Sequence, residues 1–356
     1  MRETDVLIVG QGLAGTWLSW WLEQSDLSYR VIDSFSESAA SRHAAGLINP
    51  ITGRRLVKTW MIDELMPFAL DAYRQIGAAL NREFIRELPV VDFFPTVQML
   101  QAFRKRFEED PTYLHLATER ETERYSQWFR FDLGCGMVQP TCLVQTETLL
   151  LAWRDQLKSL DKLQEDWFDN TRVRIDETGV EYEGARYRYL VCCDGKEGAA
   201  GAWFGKLPFA LNKGEALIVE IAGLPNNAVF KKGMSILPWK GNNTYWVGSS
   251  YLWSYDNDQP SEAFRSATEA WLKSFLKLPF RVLDHFAALR PATLERRPFL
   301  GFHPLNPRIG LFNGLGTKGC SLAPYFGKQL AERIVGDKPL DPQVDIQRFE
   351  RILSRN

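Results

Sequence analysis

The chain has 356 residues, 45% of them hydrophobic and 24% charged, enough to bury a sizeable core in two domains or in one large domain with an insertion. A formal net charge of −1 provides no global field for nucleic acid or an anionic membrane. Five cysteines without CxxC spacing and only four histidines speak against a disulfide framework and a zinc site, so no metal is expected. No run of about 18 apolar residues is present to span a bilayer, and Val6–Val9 is too short for a signal peptide, so a cytoplasmic protein is expected.

Asp5–Val9 is short, β-branched and bounded by Gly10, as a buried parallel strand should be. Gly10, Gly12 and Gly15 then fit G-x-G-x-x-G, with Leu13 and Ala14 between the last two. The first glycine permits a tight turn, the second lets backbone approach a pyrophosphate, and the third lets the helix pack closely on the sheet. A helix over Thr16–Gln24 would turn its unpaired N–H groups towards phosphate. Tyr29–Ile32 reads as the next strand and ends at Asp33, followed by Ser34. An acid at that distance accepts hydrogen bonds from ribose hydroxyls. An ordinary strand-to-helix turn accounts for the glycines but leaves Asp33 without a role.

Residues 38–49, SAASRHAAGLIN, show no helix or strand periodicity. A nicotinamide enzyme would place a second βα unit here. Small residues instead let backbone N–H groups lie against a flat ligand, and Arg42 could approach a phosphate; a flexible surface loop is the alternative. Arg54, Arg55 and Lys58 form a small basic cluster that reads as solvated charge. Trp60–Leu80 has the apolar spacing of an amphipathic helix. Between 84 and 134, VVDFF and WFRF read as strands around a charged helix near Gln101–Glu109, whose charges read as a solvated face.

Residues 136–159 give a strand, a turn at Pro140 and a helix from about Glu147. Strand candidates follow at Thr171–Ile175, Val180–Tyr182 and Tyr189–Cys192. The last runs into Cys193, Asp194 and Gly195, which form either a second nucleotide contact or an ordinary turn. From Leu207 to Leu289 the pattern becomes that of an antiparallel sheet, with one helix near Ser261–Leu276. Ile309–Phe312 returns to a buried strand. NGLGTKGCSLAP then makes a glycine loop running into a helix that ends at Gly336.

In order along the chain, VGQGLAG with Asp33, ASRHAAG, GMVQP with YLVCCDG, LRPATLERRPFLG and NGLGTKGCSLAP resemble the motifs of the FAD-dependent amine oxidase superfamily of D-amino-acid oxidase, glycine oxidase and sarcosine oxidase. The resemblance covers nearly the whole chain. It implies an α/β fold: a Rossmann-like FAD-binding domain of glutathione-reductase type (1–55, 135–206 and 290–356), with a discontinuous α+β substrate domain built on an antiparallel sheet (56–134 and 207–289). It implies FAD contacts from Gly10, Gly12, Leu13, Ala14, Gly15, Asp33 and Ser34. The second motif adds Ser41, Arg42, His43, Ala44, Ala45, Gly46 and Leu47, and the middle of the chain adds Val173, Asp194 and Gly195. The closing loop adds Gly314, Leu315, Gly316, Thr317, Lys318 and Gly319.

That closing loop has a physical rationale, since backbone N–H groups ahead of a helix N-terminus stabilise the negative charge of a reduced flavin. Pro324 suits the first turn of the helix, and Lys318 adds a cation.

The resemblance further implies hydride transfer to flavin N5 from a carbon bearing an amine. Its substrates usually carry a carboxylate held by a cation beside the flavin. Arg290, in the Arg position of L-R-P, leads as that catalytic residue, with Lys318 second; a salt-bridged arginine at a domain junction is the plainer alternative. GLGTKGCSLAP equally resembles the oxidase half of the bifunctional tRNA wobble-uridine modifying enzyme, which has arginine where this chain has Lys318.

The sequence also departs from the family pattern. Thr317 and Lys318 replace an Arg-Asn pair. Ser235 stands where many members place a tyrosine, and Trp246 where the sarcosine branch keeps a lysine. Neither glycine as substrate nor oxygen as acceptor therefore follows. The cysteine that attaches FAD in one branch aligns near Ala288, so noncovalent FAD is expected.

A small amine or N-substituted glycine-like amino acid is the leading substrate. An oxidase acting on a carboxymethylaminomethyl-modified tRNA uridine and a non-catalytic or partner-dependent flavoprotein are the alternatives. An NAD-dependent dehydrogenase comes last, because it gives the loop at 314–319 nothing to do.

Overall fold

A computed structural model describes residues 3–53 and 55–355; Arg54, one of the three clustered basic residues, lies outside the described residues. The opening strand Glu3–Val9 is buried from Val6 onwards, and a strand buried in this way needs neighbours on both edges. Tyr29–Ile32 pairs with it in parallel on one side and Ala185–Cys192 on the other. Ile309–Asn313 adds a further parallel strand beside Leu190–Cys192. Among the described residues this sheet has eight strands, including antiparallel additions at 174–175, 180–182 and 299–302.

Four parallel strands thus end side by side at Val9, Ile32, Cys192 and Asn313. The Gly10 N–H donates to the Ile32 carbonyl at 2.8 Å and the Cys193 N–H to the Val9 carbonyl at 2.7 Å, which fixes these ends relative to one another. Each strand then runs into a loop on the side where open α/β sheets bind ligands.

The first helix, Leu13–Glu23, is buried at nine of its eleven positions and therefore has to be covered all round. Trp17 meets Tyr73 of the helix Ile62–Ala79 edge-on at 4.9 Å, and Trp20 meets Trp153 of the helix Thr146–Ser159 at 5.5 Å. The long helix Gly319–Gly336 closes the remaining face. A Cβ on its Gly327 would come within 3.1 Å of Trp17 Cβ, and the Trp21 indole N–H donates to the Pro324 carbonyl at 2.8 Å. Burying side chains of this kind contributes about 1.5–3 kcal/mol each.

A second eight-stranded sheet is built on the long hairpin-like pair Phe209–Glu220 and Arg281–Thr293. Thr244–Gly248, Met234–Pro238 and Val229–Lys232 follow in antiparallel order. Against the expectation of a purely antiparallel sheet, Val229–Lys231 pairs in parallel with Val90–Asp92. Through that strand the sheet also takes in Cys135–Val138 and Leu114–Leu116. Strand pairing therefore crosses the expected boundary at 135, and Arg281–Thr293 crosses the one at 290. One face of this sheet is closed by a cluster in which Phe129 lies flat on Phe275 at 4.6 Å and against Phe230 at 4.8 Å.

Three local expectations are corrected. WFRF forms no strand, and only Phe129 bridges, to Leu276. Thr171–Ile175 is broken by the 3-10 turn Asn170–Arg172, which leaves a two-residue strand Arg174–Ile175. Pro324 lies in the second turn of its helix, because that helix starts at Gly319. It therefore leaves the Cys320 carbonyl without its i+4 donor. No helix among the described residues is long and apolar enough to cross a membrane.

Candidate active site

A cavity of about 560 Å³ opens where the four parallel strands end, and one face of the second sheet completes its wall. That volume lies within the range of about 300–1,000 Å³ usual for ligand pockets. Gly10, Gly12, Leu13, Ala14, Asp33 and Ser34 line one end.

Gly10 has φ +96°, and a Cβ there would lie 2.6 Å from the Cys193 carbonyl oxygen, so only glycine makes this turn. Gly15 stays behind the wall: a Cβ on it would meet the Gly10 carbonyl oxygen at 1.9 Å, so it sets how closely the helix approaches the strand. The Asp33 carboxylate is held by the Gln11 N–H at 2.9 Å, the Phe35 N–H at 2.8 Å and the Arg154 guanidinium at 2.8 Å. Its Oδ2 accepts only from Gln11 and keeps a lone pair for a ligand hydroxyl.

Ser41, Arg42, His43, Ala44, Ala45, Gly46 and Leu47 also line the cavity. This segment is tied down on both sides. Ser41 Oγ accepts the Leu13 N–H at 3.1 Å, the Ala44 carbonyl accepts from Thr146 Oγ1 at 3.2 Å, and Leu47–Ile48 pairs with Cys142–Leu143. Arg42 pairs with Glu147 at 3.1 Å while its buried Nε has no partner. The Phe35 ring is held between the guanidinium carbons of Arg42 at 4.4 Å and Arg154 at 4.5 Å.

Asp194 and Gly195 form the adjoining wall. Burial pushes the Asp194 carboxyl up to about 7, with Glu197 adding to the push and the Asn313 amide opposing it. Asn313 Nδ2 donates to Asp194 Oδ1 at 3.2 Å and to the Gly195 carbonyl at 2.8 Å, so one side chain joins two strand-end loops. Leu315, Gly316, Thr317 and Gly319 continue the wall. Gly314 lies behind it at φ +76°, where a Cβ would meet Thr293 Cγ2 at 2.6 Å. Lys318 precedes the helix Gly319–Gly336 outside the lining; burial and then Arg296 lower its pKa. Val173 is also outside: it follows the 3-10 turn and packs against the cluster around Val180 and Tyr182. Asp166, Trp167 and Phe168 reach the cavity from the loop just before it.

Arg290 enters the cavity from the second sheet. Its Nη1 donates to Asn212 Oδ1 at 2.8 Å and the Ser250 carbonyl at 3.3 Å, and its Nη2 donates to Ser249 Oγ at 3.0 Å. Gly214 makes room for the guanidinium, since a Cβ there would fall 1.8 Å from Nη2. Among the described residues no carboxylate pairs with Arg290, and burial lowers its pKa. Around it the wall is apolar: Leu237, Trp246, Phe286 and Ala288, with the Ser235 hydroxyl as an exception. The Trp246 indole N–H donates to the His43 carbonyl at 3.2 Å, and the His43 ring lies on Phe286 at 4.4 Å.

The sequence of the FAD dependent oxidoreductase family matches residues 5–333. The chain belongs to that family. A glycine oxidase of Bacillus licheniformis is 28% identical over 166 residues, which is 43% of this chain and 44% of the relative, so the match spans under half of that protein's length. Among solved structures, glycine oxidase from Geobacillus kaustophilus aligns over 100% of both chains at 18% identity with a TM-score of 0.81. Iminodiacetate oxidase from a Chelativorans species aligns over 97% of this chain and 98% of its own at 17% identity, with a TM-score of 0.74. Both likenesses show the shared fold.

FAD is the cofactor of this oxidoreductase, and the cavity suits it. Backbone at Gly10, Gly12, Gly46, Gly195 and Gly316 approaches the space without a Cβ, Asp33 keeps an open lone pair, and the Arg42 Nε lacks a partner. The binding is noncovalent. Ala288 lines the cavity without a nucleophile, and burial pushes the Cys320 thiol up to about 12 and the Cys193 thiol well above its usual range, away from the reactive thiolate. Sequence reasoning missed Phe35, Arg154 and Asn313, whose roles arise only when distant elements meet.

Proposed function

We propose that the enzyme oxidises the C–N bond of a carboxylate-bearing amine, with N-substituted glycines as the leading class, and that Arg290 anchors the carboxylate. The observation that carries this reading is the Arg290 guanidinium, at the cavity wall, oriented by Asn212, Ser249 and Ser250 and left without an acidic partner. A planar guanidinium fixed in this way can grip a carboxylate by two parallel bonds.

In this reading Gly10–Ala14, Asp33, residues 41–47, Asp194–Gly195 and the loop 314–319 hold FAD, which when bound supplies the two-electron acceptor for hydride from the carbon bearing the amine. Trp246, Phe286, Leu237 and Ala288 exclude water around the reacting carbon. No ionised carboxylate faces an incoming ammonium there, because Glu215 is committed to Ser261 and His285. Burial consequently favours the neutral amine, whose lone pair assists departure of hydride. The imine so formed hydrolyses in water. Lys318, beside the wall residues Thr317 and Gly319, contributes positive charge at the start of the last long helix.

The test is anaerobic mixing of the purified flavoprotein with glycine, N-methylglycine and N-benzylglycine while the visible band of oxidised flavin is followed. At least one of these bleaches the band, and Arg290→Met slows bleaching by about 30-fold or more, as loss of a charge-assisted pair requires. A band untouched by all three, or an Arg290→Met enzyme that reduces as fast as the parent, overturns the reading.

A further inference from the structure

Two of the larger exposed apolar side chains sit together at the cavity mouth. Tyr251 is 45% and Trp253 51% exposed, and their rings meet edge-on at 5.2 Å. Tyr251 also lines the cavity, and its ring lies 5.9 Å from the Arg290 guanidinium carbon.

A loose loop would fold such rings inwards, and this one is held out. Leu252 exchanges backbone bonds with Lys213 at 3.0 and 2.9 Å, and Asn212 Nδ2 donates to the Leu252 carbonyl at 3.0 Å. Ser250 Oγ accepts the Glu215 N–H at 2.8 Å. Further along, Lys213 Nζ donates to the Gln259 carbonyl at 2.5 Å, while the Glu215 carboxylate accepts the Ser261 N–H at 2.6 Å and hydroxyl at 2.9 Å. The Lys213 and Glu215 side chains are 5% and 0% exposed. From the opposite side of the mouth, Lys196 pairs with Asp258 at 3.1 Å. The segment 249–261 is thus a strap with both ends pinned by buried charge, presenting two aromatic rings to solvent.

Aromatic surface held rigidly in water beside a pocket is the arrangement that recognises a planar apolar group. The strap also carries Asp256 and Asp258, which disfavour a phosphate backbone at this mouth. We infer that Tyr251 and Trp253 are specificity-determining residues for a substrate whose carboxylate lies on Arg290 and whose aromatic or heteroaromatic substituent projects outwards between the two rings. This rests on the reading of Arg290 as carboxylate anchor. Glycine and N-methylglycine, which have no such substituent, become poor substrates.

The experiment measures binding, so it does not depend on turnover. Phenylacetate and acetate are titrated into the FAD-loaded protein by calorimetry and by perturbation of the flavin spectrum, for the parent, Tyr251→Ala, Trp253→Ala, Trp253→Phe and Arg290→Met. The parent prefers phenylacetate by at least tenfold. Each alanine variant reduces that preference by about three- to tenfold, as loss of an aromatic contact does, and Trp253→Phe keeps most of it. Arg290→Met weakens both acids. If the preference survives both alanine variants while Arg290→Met still weakens both acids, the aromatic platform falls and the anchor stands. If Arg290→Met binds both acids like the parent, the anchor falls and the inference with it. Failure of both acids to bind the parent overturns both. Tight binding of a single-stranded RNA oligonucleotide that Trp253→Ala abolishes assigns the platform to a nucleobase and overturns the small-molecule substrate.

Discussion

A carboxyl enclosed by a strand end and a neighbouring asparagine is more stable neutral than charged, and Asp194, pushed up to about 7 by burial, is in that position. In the unfolded chain the same group titrates near 3.8. Below that pH both states are protonated. Between the two values the folded state binds the extra proton, so this contribution to stability is lost as pH rises through about 7. Asp194→Asn in the apoprotein should therefore flatten the decline of the thermal midpoint across that window. It should gain about 1–2 kcal/mol at the alkaline end, a figure discounted because the group opens on the cavity, equivalent to about 2–4 °C per kcal/mol. Parallel pH profiles for parent and variant would remove Asp194 as the cause. Asp33 was legible at the same scale, because an acid closing the second strand has few other uses. Arg154 was not: along the sequence it is one charge in a helix that reads as half solvated, and only packing sets its guanidinium 2.8 Å from Asp33.

Elements carry the next consequence. The strap 249–261 is anchored through Lys213 and Glu215, whose charges are buried 3.5 Å apart with Ser261 and His285 completing the group. Removing one partner leaves the other buried and uncompensated. Glu215→Leu or Lys213→Met alone should each destabilise by about 3–5 kcal/mol, and the double variant by clearly less than their sum. Denaturant unfolding of the four proteins gives the coupling, and additive losses would show that the two charges do not support each other. A matching test applies to the glycine loop. Gly10→Ala meets both a φ of +96° and a carbonyl 2.6 Å away, so it should lose flavin on gel filtration where Gly53→Ala, whose Cβ meets nothing within 4 Å, keeps it. The strand, loop and helix around Gly10 were readable because each leaves a local mark in apolar spacing and turn residues. The parallel pairing of Val229–Lys231 with Val90–Asp92 left none, since both segments look like ordinary strands and their meeting is set by packing far along the chain.

For the whole molecule, five short motifs in a fixed order made the fold class readable, while the partition of residues between the two sheets was not. We propose that residues 1–55, 135–206 and 290–356 serve the cofactor and that 56–134 and 207–289 serve the substrate. This divides roles, and strand pairing cuts across it at Cys135–Val138 and at Arg290–Thr293. A single apolar cluster also runs through both sheets, joining Val6, Ile8 and Trp17 to Ala216, Ile218 and Trp246. Surfaces that share one core lose it together, so the apoprotein should unfold in one transition, with near-ultraviolet dichroism and tryptophan fluorescence tracing the same denaturant curve. FAD, binding a cavity whose wall both sheets build, should move that transition as a unit. At about 1,000 times its dissociation constant the expected gain is about 4 kcal/mol. Two transitions, with only one of them shifted by FAD, would mean that the sheets fold as separate domains and that the shared cluster contributes little to joining them.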